Sequence, residues 1–356
     1  MTDIKELLTQ LITLPGLSGY EGPAREVISA AWKPLVDDLS TSRLGSLHGL
    51  KKGSAPQPRP RILLSAHMDA IGLMVTGIEA GWLRFTEIGG VDSRILPGQE
   101  VMVHGRHDLP AVVVQPAAHL LPSSIGPKTS VGMEYLFIDT GLTEEEVRTV
   151  VRIGDLVSFA TRPVELSDDF YAGHSMDDRS CVAAVTACLQ QLKNINHAWD
   201  VWAVASVQEE ETLGGAFTSP FEIQPDIAVA IDVTFGKGPG GPNDYRTFPL
   251  GKGPSIGWGP NIHPALFEKF KETAERLDIP YHVEVMPRHS GTDAYAMQVV
   301  AAGIPMVVIG LPLRYMHTPV EVISLKDIER TGRLLAEFIA SLEPDSLSKI
   351  RWDEEE

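Results

Sequence analysis

Only two cysteines, Cys181 and Cys188, occur among the 356 residues. They lie seven apart in a stretch of helical pattern, so they share a face about 10 Å apart along the axis, too far to bridge. No disulfide framework is available, and two small core residues in a reducing, cytoplasmic setting are the expectation. Long apolar runs are also missing: none approaches the ~20 residues that span a bilayer. The opening segment, MTDIKELLTQLITLPG, has early acidic residues, helical spacing and no small-residue cleavage site, unlike a secretory leader. Positive charge is in deficit, with 30 Lys and Arg against 47 Asp and Glu and a formal net charge of −17. Nucleic acid is therefore an unexpected partner, although a local pocket can differ from the global field. Three catalytic signatures are absent: HExxH, the GxSxG elbow and the GxxxxGK[ST] phosphate loop.

What is present is 43% hydrophobic, enough for a core of more than one domain. Residues 1–14 read as a helix, LPGLSGYEG as a loop, and Gly22-Pro23 as the start of a second helix reaching about residue 34. RILLSAH, 61–67, reads as a buried strand. Residues 72–163 then change texture. Short alternating runs such as GLMVTGI, WLRFTEI, EVMVHG and DLVSFA are punctuated by turn residues, the pattern of a small barrel or sandwich. HLLPSSIGPKTSVG, 119–132, reads as a loop. From residue 178 helices and buried strands alternate: DRSCVAAVTACLQQLK, WDVWAVASVQ, DIAVAID, a helix over 264–277, IPMVVIG and a helix over 325–342. The fold class is α/β, with helices on both faces of a sheet. The simplest layout is one α/β domain, 1–70 plus 164–356, with a β domain of residues 71–163 inserted.

Polar residues able to bind metal stand where the core strands end. RILLSA ends at His67, with Asp69 two positions on; AVASVQ ends at Glu209 and Glu210; IAVAI ends at Asp232; PMVVIG leads to His317; and Asp177 directly precedes the helix at 178. Ligands of open α/β sheets bind beyond the carboxyl ends of the strands. Imidazoles and carboxylates together suit zinc, cobalt or manganese, and a bridging carboxylate allows a pair of ions. Such ions would supply the counter-charge for the run Glu209-Glu210-Glu211. His174 reads as a loop residue. SGTDAYAM, 290–297, starts a helix capped by Thr292 or Asp293, or lines a pocket. The glycine-rich stretch 236–255 is a pocket rim or a connection.

The ordered set SAHMDAIG, SMDDR, VQEEETLGG, AIDVTFG, LGKGP, GTDA and RYMHTPVE resembles the M42 family of di-metal aminopeptidases, which includes glutamyl aminopeptidases and TET peptidases. The resemblance runs from LPGLSGYEG to HTPVEVIS. It implies a zinc-peptidase-like α/β/α sandwich with a PDZ-like insert used in assembly. It implies two divalent ions per subunit, zinc or cobalt: His67 and Asp232 on one, Glu210 and His317 on the other, Asp177 between them. Glu209 would be the general base, Asp69 would orient His67, and the Asp177–Asp178 peptide would be cis. Ala70 and the Glu211-Thr212 pair depart from the usual pattern of the family. The implied activity is release of single N-terminal residues from short peptides by attack of a water bridging the ions. The alternatives are an N-acyl-amino-acid deacylase and, in another class, an endoglucanase-type glycosidase. The implied assembly is a dodecamer built from dimers, with the exposed edges of the inserted β domain as a motive. The substrate's first side chain is expected among loops 236–262 and 286–294, where Arg288 and His289 are the cations that would select an acidic residue.

Overall fold

The computed structural model describes residues 3–121, 131–167, 169–242 and 244–351. Most of the loop expected at 119–132 lies outside them. An eight-stranded sheet forms the centre, in the order Asp38–Thr41, Leu47–Lys51, Asp200–Ser206, Arg61–His67, Ile227–Phe235, Met306–Leu313, Ser255–Trp258, His282–Val285. The four middle strands run parallel, so their carboxyl ends share one edge of the sheet. Buried on both faces, they need near-continuous apolar sequence, and ILLSA, WAVAS and IAVAI supply it.

Helices cover both faces. On one, Met176–Gln191 packs against the strands and against Leu325–Ala340. Every residue of this helix from Met176 to Gln190 is buried, so it is apolar or hydrogen-bonded all round. Cys181 and Cys188 belong to it, free and buried. Trp32 of the helix Gly22–Trp32 donates its indole N–H to Thr186 Oγ1 at 2.8 Å. The helices Gly214–Ile223 and Asp293–Gln298 pack together on the strands' other face. No helix among the described residues is long and apolar enough to cross a membrane.

Four strands of this sheet escaped the sequence reading: Asp38–Thr41, Leu47–Lys51, Ser255–Trp258 and His282–Val285. They flank the buried centre, and the outermost two are partly exposed, so their sequences lack the apolar run that marks a central strand. A small sheet of Val164–Glu165, Phe170–Gly173 and Glu321–Ser324 was missed too.

Between Gly72 and Phe159 six strands close into a barrel, in the order Gly72–Glu79, Trp82–Ile88, Phe137–Asp139, Asp108–Val114, Glu100–His104, Leu156–Phe159. Barrel and not sandwich is the outcome. Its interior, including Leu73, Val75, Leu83, Val103, Val113 and Ile138, is a hydrophobic cluster separate from the main core. The helix Glu144–Val150, opened by a capping box of Thr143 and Glu146, adds Val147 to it. Closure removes free strand edges, so the edge-pairing motive for assembly does not hold.

Candidate active site

The strand-end residues converge. His67 ends its strand with its ring buried and Nε2 3.1 Å from Asp177 Oδ1, 3.8 Å from Glu209 Oε2 and 3.9 Å from Asp232 Oδ1. His317 arrives on a left-handed turn, φ 60°, with Nε2 3.5 Å from Asp177 Oδ2 and 3.4 Å from Glu210 Oε2. Asp177 stands between the imidazoles, and its peptide to Asp178 is cis. Two groups, His67 with Asp177 and Glu210, and His67 with Asp178 and Asp232, each bring a ligand atom per residue to within 4.8 Å of one another.

Glu209 and Glu210 do not end a strand. The strand stops at Ser206, Gln208 turns through a left-handed φ of 59°, and Glu209–Thr212 is one turn of helix. Successive side chains therefore step around a helix instead of alternating across a sheet. Glu209 goes to His67, Glu210 to His317 and Glu211 outward, its carboxylate accepting the Gly89 N–H of the barrel at 2.6 Å. Asp69 fixes this turn. Fully buried, it accepts the backbone N–H groups of Glu209 at 3.0 Å and Glu210 at 3.2 Å and the hydroxyl of Ser18. A carboxylate is favoured at such a helix start. Its Oδ1 also lies 3.4 Å from His67 Nδ1, which leaves Nε2 facing the carboxylates. Likewise His317 Nδ1 is 3.0 Å from the Gly90 carbonyl, so that its Nε2 is free to accept.

The sequence names Asp178 only for its peptide to Asp177 and Asp293 only as a helix cap or part of a pocket lining, and it does not single out Glu321. Asp178 accepts the His67 N–H at 3.1 Å. Glu321, buried, accepts the N–H groups of Asp177 at 3.2 Å and His317 at 3.0 Å. Its signal was its place four residues after His317. Asp293 accepts from Ser65 Oγ at 2.7 Å and Ser206 Oγ at 2.6 Å beneath the cluster, while Thr292 caps the helix. Ser290, Thr292 and Tyr295 line the cleft as well, so SGTDAYAM does both jobs expected of it. The stretch 236–255 lines an adjoining hollow that shares Phe235 and Glu284 with the cleft. His174 sits in a bend after the strand Phe170–Gly173, buried, its ring edge-on to Phe159 at 4.9 Å. Arg288 and His289 reach the cleft of about 700 Å³ only as exposed residues.

The charge here is unbalanced. Burial pushes the Glu209 carboxyl up to about 10 and Glu210 up to about 8, with Asp232 and Asp177 respectively adding repulsion. Asp232 is driven well above the usual range by burial, then by Asp177. Burial opposes ionisation of Asp177 as well, but hydrogen bonds from His317 and His67 outweigh it and hold its carboxyl low. Its hydrogen bond to Asp177 raises His317 to about 9. Burial lowers His67, yet Glu209 and Asp177 carry it well above its usual value. In the protein alone, protons supply the missing positive charge. Divalent cations would displace them, and such proton release accompanies metal binding to carboxylates and imidazoles. The donor set thus fits hard-to-borderline ions.

Imidazoles and carboxylates gathered beyond the parallel strands of an α/β/α sandwich make the centre of a metal-dependent hydrolase. The chain belongs to the M42 family of peptidases: residues 45–334 match the family described as M42 glutamyl aminopeptidase. It is 36% identical to the lysyl aminopeptidase of Pyrococcus furiosus over 346 residues, 95% of this chain and 97% of that one. Its fold is similar to an aminopeptidase from the archaeon Desulfurococcus kamchatkensis, with a TM-score of 0.91 at 34% identity, covering 98% and 97% of the two chains. The TET1 peptidase of Pyrococcus horikoshii, described as assembling into a tetrahedron or a large octahedral shell, gives 0.83 at 30% identity, covering 96% and 100%. The protein is an aminopeptidase, a hydrolase of peptide bonds.

Proposed function

We propose that the chain is a di-metal aminopeptidase releasing single N-terminal residues from short peptides. His67 and Asp232 would hold one divalent ion, Glu210 and His317 the other, with Asp177 shared. Zinc and cobalt both suit this donor set. Bound there, the ions would acidify water and polarise the scissile carbonyl. Glu209, 3.8 Å from His67 and in no other ion pair among the described residues, takes the proton of the attacking water and hands it to the leaving amine. Asp69 positions that base by holding its backbone N–H. The observation that carries this reading is the separation of the two glutamates: neighbours in sequence, they face different imidazoles.

Residues 71–163 are assigned to an assembly domain inserted in a catalytic domain of 1–70 and 164–356. The assembly is inferred to be a dodecamer built from dimers, and the relative described as forming a tetrahedron or a large octahedral shell supports a closed assembly. A cytoplasmic site is supported by the two free, buried cysteines. No partner role is assigned to nucleic acid or membrane. The deacylase reading gains no support from the comparisons, and N-acetylated substrates test it. The glycosidase reading has a Thermotoga maritima structure described as an endoglucanase, at 31% identity and a TM-score of 0.75, but the family and the curated relatives favour the aminopeptidase.

The decisive experiment measures metal content and turnover together. Glu209→Gln is expected to keep both ions and lose about 10²–10⁴-fold in kcat. Glu210→Ala is expected to lose one ion per subunit, and Glu211→Ala to keep both ions and turnover. Near-normal turnover of Glu209→Gln, or metal loss in Glu211→Ala, overturns the assignment.

A further inference from the structure

The cleft continues beyond Asp232 along its own strand. Thr234 lies two residues on, on the same face and about 7 Å away. Its Oγ1 donates to Glu284 Oε1 at 2.7 Å, and Ser255 Oγ donates to Glu284 Oε2 at 2.6 Å. Glu284 comes from the edge strand His282–Val285 and lines the cleft that holds the donor cluster. Its carboxylate occupies space left by a glycine. A Cβ on Gly310 would stand 3.1 Å from Glu284 Oε2 and 2.3 Å from Ser255 Oγ, and Gly310 is the register partner of Asp232.

The partners of this carboxylate are two hydroxyls. No Lys, Arg or His pairs with it among the described residues. Its surroundings disfavour the charge, burial first. A carboxylate oxygen accepts more than one hydrogen bond, so both oxygens keep capacity for a donor arriving through the cleft. Met286 and Met316 line the same cleft and offer apolar surface to an aliphatic stem. A charged head on such a stem is the anatomy of Lys and Arg. The cations once expected to read an acidic residue, Arg288 and His289, are exposed, where pairing is weak, and an acidic side chain reaching inward would meet Glu284.

We infer that Glu284 selects the substrate: it receives the cationic side chain of an N-terminal Lys or Arg, held by Thr234 and Ser255 one side-chain length from the donor cluster. This rests on the aminopeptidase reading above. The test uses the full-length enzyme loaded with zinc or cobalt and the p-nitroanilides of Lys, Arg, Leu and Glu. Wild type is expected to prefer Lys and Arg. Glu284→Gln should lower the Lys:Leu ratio of kcat/KM by about 10–100-fold, the worth of a hydrogen bond to a charged group. The fall should sit mainly in KM, because the contact is made equally in ground and transition states. Glu284→Asp, which keeps the charge but withdraws it, should give a smaller fall, and its ratio decides the matter if circular dichroism shows Glu284→Gln unfolded. An unchanged ratio in the folded variant overturns the inference and leaves the aminopeptidase reading standing. Failure of metal-loaded wild type to hydrolyse any of the four overturns the aminopeptidase reading instead.

Discussion

At the scale of single residues, burial sets the chemistry more than identity does. His174 shows this away from the donor cluster. Burial, with the nearby Arg179 charge, lowers its pKa to about 4. The unfolded chain takes up a proton near pH 6.5 that the folded chain refuses until about 4. Stability is therefore full above 6.5, falls as pH drops below it, and levels off below 4. The loss at pH 5 is roughly 2 kcal/mol. Urea unfolding of His174→Asn and wild type at pH 7.5 and 5 should show wild type losing that much more than the variant, since other titrations cancel in the difference. Equal losses would mean that His174 titrates normally. The candidate ligands were legible because each stands at the end of a patterned strand or beside a helix start. Glu284 and Glu321 were not, nor was the burial of Asp178 and Asp293 around the cluster, because a carboxylate advertises nothing in sequence about whether it will be buried. The alternation in HVEV is too brief to have flagged this edge strand, and it leaves unsaid which face meets a cleft.

At the scale of elements, the turn Glu209–Thr212 shows where pattern reading stops. The apolar run AVAS identified its strand, but the left-handed Gln208 that converts strand to helix is a tertiary outcome with no local signal. The barrel loop after Trp82–Ile88 is the other instructive element. It offers the Gly89 N–H to Glu211 and the Gly90 carbonyl to His317. A Cβ on Gly90 would lie 2.8 Å from His317 Nδ1, closer than such atoms pack. Gly90→Ala should tilt that imidazole. The expected outcome is roughly 10–100-fold weaker binding of one of the two ions, the usual result of disturbing a ligand's supporting hydrogen bond, read by metal titration with the other site as internal control. Unchanged affinity for both ions would show that the loop yields instead.

At the scale of the whole molecule, exposed apolar side chains point to further burial. Phe217 and Phe221, one helical turn apart, are 40% and 65% exposed and share a hollow with Leu44 and Val300. Trp82 and Ile153 of the barrel region are 45% and 70% exposed. A contiguous apolar hollow such as that of Phe217 and Phe221 is the kind of surface that marks a contact between proteins. Phe221→Glu is expected to shift the species seen by light scattering at micromolar concentration toward smaller assemblies, with the thermal midpoint of the subunit little changed. A wild type that is already monomeric and fully active would end the assembly proposal.

The contact between Gly90 and His317 reaches beyond either residue. It is a hydrogen bond between the body that is proposed to assemble and the body that is proposed to hold the ions. Free-energy coupling between two such events is symmetric. If packing of subunits steadies the barrel loop, ions bind more tightly in the assembled form, and filling the site must strengthen assembly by the same factor. Quaternary structure and metal loading would then act as two readings of one equilibrium, so that a dilute, stripped subunit is the common endpoint of both chelation and dissociation.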